Sequence, residues 1–274
     1  MTIKEQSLNN LFISVIIPMY NRSKTIIECL DSVCAQTFKN IEIIVVDDFS
    51  TDNSVDLVSS YQDNRIKLIK LEKNSGAQVA RNRGIIEAKR EWIAFNDSDD
   101  LWEKDKLEIQ TKELEKINFN KDTVIHSNCT CLDLINNKTW EWKVPKTYGL
   151  CYKLLLERPA PLFPTILTSK KALLEIGLLD ENVPSYQEWD TSIRLAKKCK
   201  FIHIEKPLFT YIFHDGETIS KNNKRDIEGY LYIINKFKKE LQEYNFYEKH
   251  INQLSKRANS FSLFQEAEEI LKMI

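Results

Sequence analysis

The sequence predicts an α/β fold: a mostly parallel sheet flanked by helices, with a helical extension at the C-terminal end. Three observations carry this. Short Val- and Ile-rich runs alternate with stretches of helical periodicity through the first hundred residues. That spacing suits right-handed crossovers between parallel strands. From Asp226 to the end the pattern is helical with mixed charge.

The elements follow in order. Phe12–Pro18 (FISVIIP) reads as a short buried strand, and Lys24 to Gln36 as a helix. Ile41–Asp48 (IEIIVVDD) is a second strand, followed by a helix that Ser, Thr and Asp can cap. Arg65–Leu71 alternates as a third strand, GAQVARNRGIIEAK is helical, and WIAFND is a fourth strand. A helix is expected from about Glu103 to Ile117, then a strand at Thr123–Leu132 and a turn at Asn136-Asn137. Pro145, Pro159, Pro161 and Pro164 break up the next section. SYQEWDTSIRLAKK starts a helix with Glu188 and Asp190, and two short strands are expected at Phe201–Glu205 and Leu208–Phe213. The loop HDGETISKNN follows.

Composition narrows the function classes. The chain has 274 residues, 42% hydrophobic and 29% charged, the balance of a globular protein with a full core. A net charge of −1 offers no general attraction to nucleic acid. No apolar run is long enough to cross a bilayer. The first dozen residues lack the pattern of a signal peptide, and the six cysteines form no CxxC pair. Buried reduced thiols in a cytoplasmic protein are therefore expected.

In such sheets ligands bind beyond the carboxyl ends of the strands. Four polar clusters fall there: Pro18 to Arg22, Asp47-Asp48, Asn74-Ser75-Gly76 and Asp97-Ser98-Asp99. Together they describe one crevice. Carboxylates flanking a small polar residue at a strand end suit a hard divalent cation, Mg²⁺ or Mn²⁺, sharing the oxygens of a bound phosphate. Asp48 can accept hydrogen bonds from a nucleotide, while the turn at Asn74–Gly76 with Arg81 and Arg83 suits anionic oxygens.

The segments ISVIIPMYNR, IEIIVVDDFSTDNS, NSGAQVARNRGI and WIAFNDSDDLW resemble, in order and spacing, the family 2 glycosyltransferases of the GT-A fold. LLDENVPSYQEWDTSIRLAKK resembles that family's acceptor-side segment. The resemblance implies a Rossmann-like catalytic domain over residues 1–225. Residues 1–101 would be its nucleotide-sugar half and 102–225 its acceptor half, with a helical region at 226–274. It implies transfer of a sugar from a UDP-sugar to an acceptor hydroxyl with inversion, dependent on Mn²⁺ or Mg²⁺. Pro18, Tyr20 and Arg22 would flank the nucleotide, Asp48 would bind the base, and Asn74, Gly76 and Arg81 would lie near the donor. Asp97 would meet ribose or a metal-bound water, Asp99 would bind the metal, and His214 would complete the metal–diphosphate site. The family's usual Glu-Asp pair reads Gln187-Glu188 here, so Glu188 is the expected base, with Asp190 the alternative. The expected acceptor is a saccharide, lipid-linked in many such systems, which would bring the protein to the inner face of the membrane.

Plainer roles stand beside these. Asp97, Asp99, Asp100, Glu188 and Asp190 could cap helices. Arg81 and Arg83 could be surface arginines, and His214 an exposed loop residue. Trp140, Trp142 and Tyr148 could stack on an acceptor sugar or form a packed face. The C-terminal helices could pack on the core, mediate a homo-oligomer or touch a membrane surface. Competing functions are a non-catalytic nucleotide-sugar-binding protein and a haloacid dehalogenase-type phosphatase, which also ends a strand in DxD. In the latter the motif belongs to the first strand, whereas here it ends the fourth. A dinucleotide-binding enzyme would need GxGxxG after the first strand, which is missing.

Overall fold

The computed structural model describes residues 11–214 and 222–273. The start of the chain, where a signal peptide was looked for, and most of the HDGETISKNN loop lie outside the described residues. The first four strands are β1 (Ile13–Met19), β2 (Ile41–Asp47), β3 (Ile66–Lys70) and β4 (Trp92–Phe95). They pair in parallel in the order β3-β2-β1-β4. Three helices connect them: α1 (Ile26–Cys34), α2 (Ser54–Ser60) and α3 (Ala77–Glu87).

Side-chain alternation explains why this half folds as the pattern dictates. Ile43 and Val45 of β2 enter one core cluster with Ile26, Leu30 and Val33 of α1. Ile44 and Val46 enter the other, with Ala80 and Ile85 of α3. Pro18 costs the sheet little: β1 pairs with β4 only as far as Ile16 opposite Phe95, so Pro18 lies beyond that ladder. Gly84 lets α3 sit close against β1, since a Cβ there would lie 2.5 Å from Ile16 Cγ2.

Beyond β4 the sheet is mixed. β5 (Leu101–Trp102) precedes α4 (Lys106–Lys116), so the acidic segment joins two strands and does not open a helix. β6 (Thr123–Asp133) and β7 (Lys138–Trp142) form a hairpin, with Asn137 at positive φ in its turn. After α5 (Tyr152–Glu157) come β8 (Leu167–Ser169), α6 (Lys170–Glu175), α7 (Gln187–Ala196) and β9 (Lys200–Phe213). β8 runs antiparallel to both β4 and β6, so β6 and its parallel neighbour β9 point the same way as β4.

β9 replaces the two short strands expected at 201–205 and 208–213. The Lys206-Pro207 interruption is absorbed as a register shift, with Ser127 opposite Ile204 but Asn128 opposite Pro207. The C-terminal helices are α8 (Asn223–Lys236), α9 (Lys238–Glu243), α10 (Tyr247–Ser260) and α11 (Phe264–Leu271). Ile227, Ile234, Leu241, Ile251, Leu254 and Ile270 join the same core cluster as Trp189 and Phe201. They pack against α7 and β9, and among the described residues no helix is long and apolar enough to cross a membrane. All six cysteines are free thiols. Trp140 and Trp142 are each 42% exposed, with Trp140 stacked on Phe213 at 5.4 Å between ring centroids.

Candidate active site

The carboxyl ends of β1, β2 and β4 and the start of α7 meet at one crevice. Its acidic turn is held from below. Asp100 N–H donates to the Asp97 carbonyl at 3.1 Å, closing the turn. Thr25 Oγ1 of α1 donates to the Ser98 carbonyl at 2.9 Å, and Asn96 Nδ2 donates to the Asp100 carbonyl at 3.2 Å. A turn fixed on both sides can hold like charges that would otherwise spread apart.

Each of the three carboxylates has its own surroundings. Asp97 Oδ1 is 2.5 Å from Arg81 Nη2. Asp99 Oδ2 lies 3.2 Å from Arg22 Nε and 3.3 Å from His214 Nε2, the latter 115 positions away in the chain, so side chains from the two ends of the sheet domain converge on one oxygen. Asp100 is not a helix cap. It is buried and accepts the Ile212 N–H of β9 at 3.1 Å, because the segment it ends leads into β5 and not into a helix. Burial, then the charges of Asp99 and Asp97, push its carboxyl well above the usual carboxylate range.

Asp48 braces the crevice floor. Its Oδ1 and Oδ2 accept the N–H groups of Ser75 and Gly76, each at 2.7 Å. It therefore shapes the loop after β3, where Gly76 supplies a φ of 95° at the start of α3. Burial raises its proton affinity, opposed by those two hydrogen bonds. Asn74 lies exposed on the lip of that loop. Asp47 accepts the Ser50 N–H, and Asn21, at φ 51°, accepts the Thr51 N–H at 2.8 Å. These contacts join the β1 and β2 ends into one rim, which carries half-exposed Tyr20 and buried Pro18.

Arg81 and Arg83 part company. Arg81 is 5% exposed, with its guanidinium 4.4 Å over the Phe163 ring. Arg83 is a surface arginine paired with Glu87 one turn on. Sequence reasoning missed Gln78 and Gln187, whose Oε1 atoms accept from Arg81 Nη1 at 3.0 and 3.2 Å. It also missed the pairing of Arg22 with Asp99. No local pattern announces such partners, because they come together only through the fold.

The two candidate bases also separate. Glu188 is half-buried, and its carboxylate takes no ion pair or hydrogen bond from another described side chain. Burial raises its proton affinity, only partly offset by the Arg81 charge, and nearby Asp97 adds to the rise. Asp190 is 0% exposed. Its Oδ2 accepts from Arg194 Nε at 2.8 Å, and its Oδ1 makes an ion contact with Lys236 Nζ at 2.6 Å. Residues two apart on a helix point roughly 200° apart, so the turn that aims Glu188 at the crevice aims Asp190 at the core. Asp190 is thus corrected from alternative base to a buried ion pair joining α7 to α8.

Asp99 and His214 fit a divalent ion. Their donor atoms, 3.3 Å apart, approximate adjacent corners of an octahedron whose bonds are about 2.1 Å. Among the described residues no group of three His, Cys, Asp or Glu could cage a metal alone.

The family model described as Glycosyl transferase family 2 matches residues 14–173, more than half of the chain. The chain belongs to this family. An uncharacterized glycosyltransferase of Rickettsia conorii is 50% identical over 211 residues, which cover 76% of this chain and 34% of that protein. The chain thus spans about a third of that relative's length. The Escherichia coli UDP-Glc:alpha-D-GlcNAc-diphosphoundecaprenol beta-1,3-glucosyltransferase WfgD is 36% identical over 150 residues, covering 55% of this chain and 57% of that protein. The crystal structure of Staphylococcus aureus TarS 1–349 in complex with UDP-GlcNAc superposes with a TM-score of 0.70 at 23% identity. The match covers 92% of this chain and 73% of that one, and shows the shared GT-A fold. The phosphatase reading falls with this membership.

Proposed function

We propose that the chain is an inverting glycosyltransferase that moves a sugar from a UDP-sugar to a hydroxyl of a saccharide acceptor in bacterial surface-glycan synthesis. Its catalytic domain would comprise residues 1–225. One observation carries the reading: an unpaired, half-buried glutamate, Glu188, stands beside the Arg81–Asp97 pair, while Asp99 and His214 converge at the same strand ends. The relative WfgD is named for UDP-Glc and a diphosphoundecaprenol-linked acceptor, which supports a UDP donor and a lipid-linked saccharide. TarS in complex with UDP-GlcNAc supports the same donor class on this fold.

The chemistry is a single displacement. Glu188 takes the proton of the acceptor hydroxyl as its oxygen bonds to the anomeric carbon. The bond from that carbon to the diphosphate oxygen breaks, and UDP leaves with the electron pair. Attack from the face opposite the leaving group inverts the centre, so an α-linked donor gives a β-linked product. Asp99 and His214 would hold Mn²⁺ or Mg²⁺, which supplies charge neutralisation for the diphosphate. Arg81 orients Asp97 towards the ribose, and the Asp48-braced loop holds the nucleotide rim. The raised proton affinity of Glu188 makes it a better base, provided the pH lies above its shifted value.

The test is a screen of UDP-sugars with and without Mn²⁺ or Mg²⁺, reading released UDP. Metal-stimulated release with at least one sugar is expected. Release or binding indifferent to metal for every donor would sink the roles of Asp99 and His214. Turnover unchanged in Glu188→Gln would sink the base.

A further inference from the structure

We propose that Gln187 is a positioning residue for this reaction: through Arg81 it fixes the first turn of α7, and so Glu188, against the donor-side carboxylate Asp97. The inference rests on the transferase reading above and adds a residue to it. Helix α7 starts without a side-chain cap, from Tyr186 in a left-handed conformation at φ 59°. Its first turn therefore takes its direction from tertiary contacts. Tyr186 OH donates to Asp226 Oδ2 at 3.0 Å, Trp189 Nε1 to the Leu155 carbonyl at 2.5 Å, and Asp190 pairs with Lys236 on the core side; on the crevice side the contact is the 3.2 Å hydrogen bond from Arg81 Nη1 to Gln187 Oε1.

Arg81 is well suited to be a strut. Its guanidinium is a rigid planar fork, buried, stacked on Phe163 and steadied by Gln78. One prong holds Asp97 and the other holds Gln187. One side chain thereby links the donor-side carboxylate directly to the base-bearing turn. Helix α3, which carries it, is seated on β1 through Gly84.

The neutrality of Gln187 matters as much as its reach. An amide oxygen accepts from Arg81 without competing for its charge, so the ion pair with Asp97 stays whole. A carboxylate at 187 would divide the guanidinium between two anions. It would also set a third negative charge beside Glu188 and Asp97, against the charge of Arg81. Position 187 is therefore matched to position 188.

The experiment is a double-mutant cycle of Gln187→Glu and Glu188→Asp, with Gln187→Leu as the uncharged break. Turnover of whichever UDP-sugar the wild type consumes, its KM, UDP affinity by calorimetry and thermal melting are measured for each. Gln187→Leu should lower kcat about tenfold while KM and UDP affinity stay within about twofold. Gln187→Glu should weaken UDP binding by about three- to tenfold through loss of charge from the Asp97 pair. The double variant should keep at least about tenfold more kcat than the product of the two single losses. If Gln187→Leu fails to fold, Gln187→Asn, which keeps the amide but is one methylene short, carries the same expectation. Losses that simply multiply, or kcat and UDP affinity falling together in Gln187→Leu, would overturn the inference. A wild type that turns over no UDP-sugar counts against the transferase reading itself; an active wild type with multiplying losses counts against Gln187 alone.

Discussion

The crevice side and the core side of α7 carry carboxylates two residues apart under opposite conditions. Glu188 on the crevice side is half-exposed and forms no ion pair with a described side chain. Asp190 on the core side is fully buried and held by Arg194 and Lys236. A buried charge is tolerable only when paired, and an unpaired carboxylate that burial makes more basic contributes nothing to stability. The contrast teaches that pairing, more than burial or proximity in sequence, separates a carboxylate committed to packing from one left available. The acidic turn divides differently: Asp97 and Asp99 are paired with buried Arg81 and with Arg22, while Asp100 accepts a backbone N–H.

The largest expected effect is on the crevice side. Glu188→Gln should lower turnover by about 10²–10⁴-fold, the usual worth of a general base, with UDP affinity unchanged by calorimetry. On the core side the loss should appear in stability instead. Asp190→Ala leaves Lys236 with Asp180 alone and Arg194 with the Ile176 and Leu178 carbonyls, and should cost about 3 kcal/mol in urea unfolding, while turnover per folded molecule survives. Asp190→Ala that is fully stable but inactive would reverse the assignment.

Asp48→Ala falls between these two. It frees the Ser75 and Gly76 N–H groups and should cost about 1–3 kcal/mol, with weaker UDP binding from a loosened loop.

The smallest effects sharpen the comparison through pH. Because the folded state raises the Glu188 pKa, the acid limb of kcat/KM should lie above the ordinary glutamate value. The sign for stability follows from the same shift. Between the unfolded and folded values the native state holds the extra proton, so stability falls as pH rises through that window. Glu188→Gln removes this term and should raise stability at neutral pH by about 0.5–2 kcal/mol. A variant that melts lower than wild type would show that Glu188 has a stabilising partner after all.

Much of this was legible beforehand. The parallel half could be read because period-two alternation and Ile/Val-rich runs are local properties that burial on both faces enforces. Asp97, Asp99 and Arg81 could be singled out because strand ends in such sheets collect ligand groups, and His214 through the family resemblance; the structure brings Arg81 to Asp97 and His214 to Asp99. The mixed half was less legible: β5 is two residues long, and β9 is one strand across Lys206-Pro207, since pairing with β6 outweighs the local interruption. By itself the sequence determined the fold class, the family and which strand ends form the crevice, because each follows from short-range pattern. Tertiary structure alone decided which carboxylates are free to act. Whether Asp48, Asp100 or Asp190 has a partner depends on Gly76, Ile212 and Lys236, residues 28, 112 and 46 positions away in the chain, and only folding brings those charges and donors within hydrogen-bond reach.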